Sequence, residues 1–144
     1  IPVNYEKRTP KQAAMHDAAK PLAGYRVILI EDNPDVLDAT CALLEQWGCA
    51  VQPHPTIPAR VEPADLIIAD YDLGDRTLGT TAILVIREKL GSTLPAILMT
   101  GHAEAIANQQ NFDEGIQILA KPVQPAMLRS ILSTFRAASH NRSL

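Results

Sequence analysis

Short apolar runs alternate along this chain with segments of helical period, and nearly every run stops at a polar residue. Runs at 26–30, 49–53, 66–69, 95–99 and 116–120 read as strands. A continuous apolar run with turn signals at both ends suits a strand buried on both faces. Strands separated by helices must be joined by crossovers, so the alternation implies one parallel sheet with helices on both faces. Glu31-Asp32 follow the first run, Asp70 the third, Thr100 the fourth and Lys121 the fifth. In open parallel sheets ligands bind beyond the carboxyl ends of the strands. The polar residues therefore fall where such a fold does its chemistry.

The segments between the runs are helical with one exception. Asn33-Pro34 opens the first helix, Asn as a cap and Pro at the first helical position. Val36, Thr40, Leu43, Leu44 and Trp47 recur at helical spacing, with Trp47 as a core anchor and Gly48 as the stop. A helix is expected over 77–91 with Ile83, Ile86 and Leu90 inward. A polar, weakly amphipathic one is expected over 103–112, and a last one over 125–138 with Leu128, Ile131, Leu132 and Phe135 as its stripe. The exception is 54–63, where Pro55, Pro58 and Pro63 leave room for at most one turn near 59–62.

With 144 residues the chain is long enough for one domain with a real core. Residues 1–23, with Pro2, Pro10 and Pro21 and no apolar period, read as a linker; 24–138 form the domain and 139–144 a polar tail. A net charge of −3 argues against a nucleic-acid surface, and no apolar run is long enough to span a membrane. Two cysteines, Cys41 and Cys49, make no disulfide framework and suit reduced thiols in the cytoplasm. Because the chain starts at Ile1, it is expected to be a piece of a longer polypeptide. His16, His54 and His140 have no partners in the sequence and receive no role.

Carboxylates gathered at one sheet edge repel and raise one another's pKa unless a cation joins them. Hard oxygen ligands with room for water suit Mg²⁺, with Mn²⁺ as a substitute. A lysine can pair first with a carboxylate and then with a phosphoryl oxygen, and a threonine hydroxyl can donate to another. Such a set neutralises the oxygens of a transferring phosphoryl group, with Asp70 as nucleophile. No phosphate loop of the G-x-x-x-x-G-K type is present, so a nucleotide is not the obvious donor.

Residues 25–138 resemble a response-regulator receiver domain of two-component signalling. Glu31-Asp32 match the acidic pair, and Asp70 within Ile67-Ile68-Ala69-Asp70-Tyr71-Asp72-Leu73 matches the phosphoacceptor. Thr100, before Gly101-His102, matches the switch hydroxyl, and Lys121-Pro122 the lysine before a cis proline. The resemblance implies a flavodoxin-like three-layer α/β sandwich with strand order 2-1-3-4-5 and the second helix shortened or absent. It implies Mg²⁺ bound by Asp32, Asp70 and the backbone carbonyl of Asp72, with Glu31 acting through water. It implies a histidine kinase or histidine phosphotransfer domain as partner, and a parent of the hybrid histidine kinase type with this domain at its C-terminal end. The chain departs from the family at Ile118, usually aromatic, at the Pro-rich segment, and at Gly74, where many members carry Pro. None of the three is expected to touch the phosphorylation chemistry.

Alone, Asp70 reads as a turn residue, Thr100 likewise, and Lys121 as a solvated lysine; it is the set that points to a site. His102 reads as an exposed loop residue or as a modulator of phosphoryl hydrolysis, and Asp72 as a second modulator at the site mouth. Two other functions fit parts of the pattern. One is a receiver-like interaction module that works without phosphorylation, suggested by Ile118 and the missing helix. The other is a phosphatase, since Asp70-Tyr71-Asp72 resembles the D-x-D nucleophile motif of haloacid-dehalogenase-type enzymes. That motif belongs on a first strand, and Glu31-Asp32 have no counterpart there.

Overall fold

A computed structural model describes residues 20–109 and 115–143. Five strands form one all-parallel sheet in the order β2-β1-β3-β4-β5. They are β1 (Arg26–Ile30), β2 (Ala50–His54), β3 (Leu66–Asp70), β4 (Ala96–Thr100) and β5 (Ile116–Ala120). The helices are α1 (Pro34–Gln46), α2 (Gly79–Leu90), α3 (Ala103–Gln109) and α4 (Pro125–Ser143). β3 and β4 are buried at every position, as central strands covered on both faces must be. β2 and β5 are the edges and are only partly buried; an edge is also where Pro53 can sit without breaking a ladder.

Each face of the sheet has its own core. On one face Val27, Leu29, Ile68 and Met99 pack against Leu44 of α1, Trp47 at its C-terminal cap, and Leu128 and Leu132 of α4. On the other, Ile28, Ile30, Ile67 and Leu98 pack against Ala82, Ile83 and Ile86 of α2. The link from β2 to β3 contains no helix, not even the single turn expected near 59–62. Its three prolines keep it irregular, and it covers its share of the sheet with Ile57 and Val61 instead. The Gln52 side chain clasps this strap as a backbone would: its amide donates to Glu62 O at 3.0 Å and accepts from Glu62 N at 3.0 Å.

Several expected boundaries shift. Asn33 caps α1 as predicted, its Oδ1 accepting from the backbone of Asp35 and Val36. Of the expected stripe on this helix, Leu43, Leu44 and Trp47 do pack into the core, joined by Leu37 and Cys41, whereas Val36 is 38% exposed. α2 begins at Gly79 rather than 77, because the preceding residues pair with themselves. Asp72 bridges Leu78, and Leu73 N donates to Thr77 O at 2.9 Å. α4 runs to Ser143, past the expected end at 138, through a stretch that holds no proline or glycine. The expected 103–112 helix is seen to Gln109, and 110–114 lie outside the described residues.

Of the segment expected as a linker, 1–19 lie outside the described residues. Residues 20–24 form a turn in which Leu22 is fully buried. Arg136 of α4 fastens that turn, donating to Pro21 O at 3.2 Å and lying 5.7 Å from the centre of the Tyr25 ring. Gly48, at φ +100°, lets the turn come close, since a Cβ there would sit 2.7 Å from Ala23 Cα.

Candidate functional site

Because β2 lies on one side of β1 and β3 on the other, the chain reverses its direction of winding between β1 and β3. A crevice opens at the carboxyl ends of strands flanking such a point. Glu31 and Asp32 follow β1 directly and Asp70 is the last residue of β3, so the topology itself brings the three acids together. One carboxylate oxygen from each lies within 4.8 Å of the others. Thr100 ends β4 beside them, and Lys121 follows β5. The Lys121 backbone N–H donates to Thr100 O at 2.8 Å, and the Lys121-Pro122 bond is cis, as the resemblance implied.

Burial makes these groups consequential. Glu31 is 1% exposed, Thr100 4% and Asp70 7%, whereas Asp32 is open to solvent. Lys121 Nζ lies 2.9 Å from Asp70 Oδ1 and 3.6 Å from Glu31 Oε2. Burial pushes the Glu31 carboxyl up to about 7, and the nearby Asp70 charge adds to the effect; the Asn33 N–H, donating to Oε1 at 3.2 Å, and the Lys121 charge oppose it. Burial would lower the Lys121 pKa, but its pairing with Asp70 and Glu31 outweighs that and raises it. One lysine thus faces three carboxyl groups. Glu31 Oε2 is buried, and its contact with Lys121 at 3.6 Å is longer than a good hydrogen bond.

The donor set tests whether a metal fits. All three ligands are hard carboxylate oxygens, one of them buried and met only loosely by Lys121, and the exposed Asp32 leaves an open side for water. This suits Mg²⁺, which keeps several waters and takes one or two carboxylates. Glu31, Asp32 and Asp70 would hold it.

The other expected residues fall as follows. Thr100 Oγ1 accepts from the His102 backbone N–H at 3.1 Å, while the His102 side chain is exposed. Asp72 is exposed too, and its Oδ1 accepts from the Gly74 N–H at 3.0 Å. Ile118 is half-buried on β5, paired in register with Leu98.

Two glycines shape the site: Gly79, which sequence reasoning passed over, and Gly74, which it noted as a departure from the family. A Cβ on Gly79 would collide with the backbone carbonyl of Asp70, so only glycine lets α2 start this close to the proposed phosphoacceptor. An isolated glycine inside the run expected as helix was the available signal. Gly74, thought irrelevant to the chemistry, stands at φ +80°, a conformation proline cannot adopt. A Cβ there would lie 3.3 Å from Asp32 Oδ2.

No curated protein sequence matches the chain. Solved structures similar to it include a response regulator receiver protein from Sinorhizobium medicae, with TM-score 0.63 and 19% identity, covering 79% of this chain and 95% of that one. The HemR receiver domain from Leptospira biflexa aligns with TM-score 0.61 and 24% identity over 78% of this chain and 92% of that one. The response regulator PhyR from Brucella abortus aligns with TM-score 0.65 and 18% identity over 92% of this chain, which spans only 58% of PhyR. At these identities the likeness is one of fold. A profile of the response regulator receiver domain matches residues 27–133, three-quarters of the chain and every strand from β1 to β5. With that match added to the strand order, the chain belongs to the response regulator receiver domain family.

Proposed function

We propose that the domain accepts a phosphoryl group on Asp70 from a phosphohistidine of a histidine kinase or a histidine phosphotransfer domain, and signals through the resulting change of charge. The observation that carries this reading is the 2.9 Å pair between Lys121 and Asp70, set among three carboxylates whose charge one lysine does not balance. A carboxylate oxygen of Asp70 attacks phosphorus, the P–N bond breaks, and its electron pair returns to the leaving imidazole. An acyl phosphate forms on Asp70. Lys121, already on Oδ1, neutralises negative charge as it gathers on the phosphoryl oxygens. Thr100 can donate its hydroxyl proton to one of those oxygens while still accepting from His102 N–H. A bound Mg²⁺ supplies positive charge that the site otherwise lacks.

The placement of Asp70-Tyr71-Asp72 at the end of β3, rather than on a first strand, and the acids Glu31 and Asp32 beside it support this reading over a phosphatase. Among the described residues no helix is long and apolar enough to cross a membrane, and Cys41 and Cys49 are free thiols, which supports a cytoplasmic setting.

Incubation with acetyl phosphate and Mg²⁺ should add one phosphoryl group by intact mass, and Asp70→Asn should add none. Failure of the wild-type protein to react with acetyl phosphate or to bind beryllofluoride ends the proposal.

A further inference from the structure

We propose that Gly74 is a positioning residue for the cation: it sets where the Asp32 carboxylate sits, and so how tightly the site holds Mg²⁺. The inference rests on the reading of Glu31, Asp32 and Asp70 as a cation site.

Three observations meet at this residue. Its backbone is left-handed, at φ +80°, and Asp75 and Arg76 follow at +48° and +61°. Non-glycine residues rarely take that conformation, and here two do so in succession. The turn is closed on itself. Thr77 N donates to Gly74 O at 2.8 Å, Leu73 N to Thr77 O at 2.9 Å, and Gly74 N to Asp72 Oδ1 at 3.0 Å. Residue 74 is thus fixed in place rather than free to yield. Finally, the absent Cβ would lie 3.3 Å from Asp32 Oδ2, tighter than an ordinary contact.

Which partner would yield decides the effect. Asp32 is exposed, with solvent to swing into, whereas Gly74 is held by its turn. A side chain at 74 therefore moves the carboxylate. A few tenths of an ångström matter, because Mg²⁺ demands near-ideal octahedral geometry at about 2.0–2.1 Å. Groups that orient a ligand rather than bind the metal typically change affinity by about 10–100-fold when altered. Proline would require the opposite sign of φ, so the loop of this chain holds Asp32 by a route closed to members with proline at this position.

The test measures metal affinity directly, by Mg²⁺ titration followed by NMR and by Mn²⁺ electron paramagnetic resonance. Gly74→Ala should weaken binding about tenfold or more. Gly91→Ala is the matched control. Gly91 is also left-handed, at φ +60°, but a Cβ there meets nothing within 4 Å. It should lower the Tm as Gly74→Ala does and leave metal affinity unchanged. Gly74→Asn, which tolerates the left-handed backbone, keeps the Cβ contact with less strain, and serves if Gly74→Ala fails to fold. In an Asp32→Asn background Gly74→Ala should cost no further affinity. Equal affinity in Gly74→Ala and wild type, equal losses in Gly74→Ala and Gly91→Ala, or a loss that persists without Asp32 would each overturn the proposal. A wild-type protein that binds no Mg²⁺ would instead overturn the site reading on which it rests.

Discussion

The two ends of the sheet carry ion pairs of opposite character. At the amino-terminal end Arg26 and Asp65 match one to one. Asp65 Oδ2 accepts from Arg26 N at 2.9 Å and Nε at 3.1 Å, and Oδ1 from Nη2 at 3.0 Å. Arginine's planar fork makes such a pair complete in itself. At the carboxyl-terminal end a single Lys121 meets Asp70 and, more loosely, Glu31, with Asp32 beside them, so three carboxyl groups share one lysine. The first arrangement is finished and the second is not. That difference separates a structural pair from a reactive site more sharply than burial or charge count does, because an incomplete set is costly to keep unless it is used.

Removing a charge should therefore have very different effects at the two ends. The largest is expected from Lys121→Met, which strips from the acids the one cation that meets them among the described residues. The rate of phosphorylation by acetyl phosphate should fall by about 10²-fold, comparable to removing a group that stabilises developing charge. An unchanged rate would show that the lysine is as ornamental as a surface one. Next comes a pH effect in the metal-free protein. Glu31 is raised in the folded state from 4.5 to about 7, so the folded state binds the extra proton in that interval. Stability from this group is full below pH 4.5 and is lost as pH rises through about 7. Denaturant titrations at pH 5 and 7.5 should show that loss, and Glu31→Gln should flatten it; an equal slope in both proteins would refute the assignment.

At the finished end the sign reverses. Hydrogen bonding from Arg26 holds the Asp65 carboxyl below its ordinary 3.8, so its contribution is full above pH 3.8 and disappears as pH falls through the lowered value. Asp65→Ala should cost about 1–2 kcal/mol at pH 7, by urea unfolding, and leave phosphorylation untouched. Arg26→Ala should cost least, about 0–1 kcal/mol, since its guanidinium is half exposed. A change in phosphorylation from either variant would mean the two ends are not independent.

Much of this was legible before any coordinates. β1 and β5 fall where the apolar runs place them, and Asp70 and Lys121 end up paired, because a parallel sheet sends every strand end to the same edge. The first turn of the α1 stripe was misplaced for a simple reason. Val36-Thr40 and Leu37-Cys41 both continue the helical period of Leu43, Leu44 and Trp47, one residue apart, and only packing chooses the second pair. The strap over 55–65 could be recognised as non-helical from its prolines, but not how it is held, since the Gln52 clasp joins residues ten apart by side chain alone. The turn from Asp72 to Leu78 was missed because three successive left-handed residues include two, Asp75 and Arg76, with no propensity signal strong enough to announce it.

The fastening of Pro21 and Tyr25 by Arg136 has a consequence for how the domain can be wired into something larger. α4 starts near the acidic edge and runs back, so residue 136 reaches the opposite end of the sheet, where residue 20 also enters. A five-residue strand is about 17 Å long, so the two ends of the sheet lie about that far apart. Within residues 20–143 both connections therefore sit at the end of the sheet away from Asp70, and a partner histidine reaches Asp70 from the opposite end.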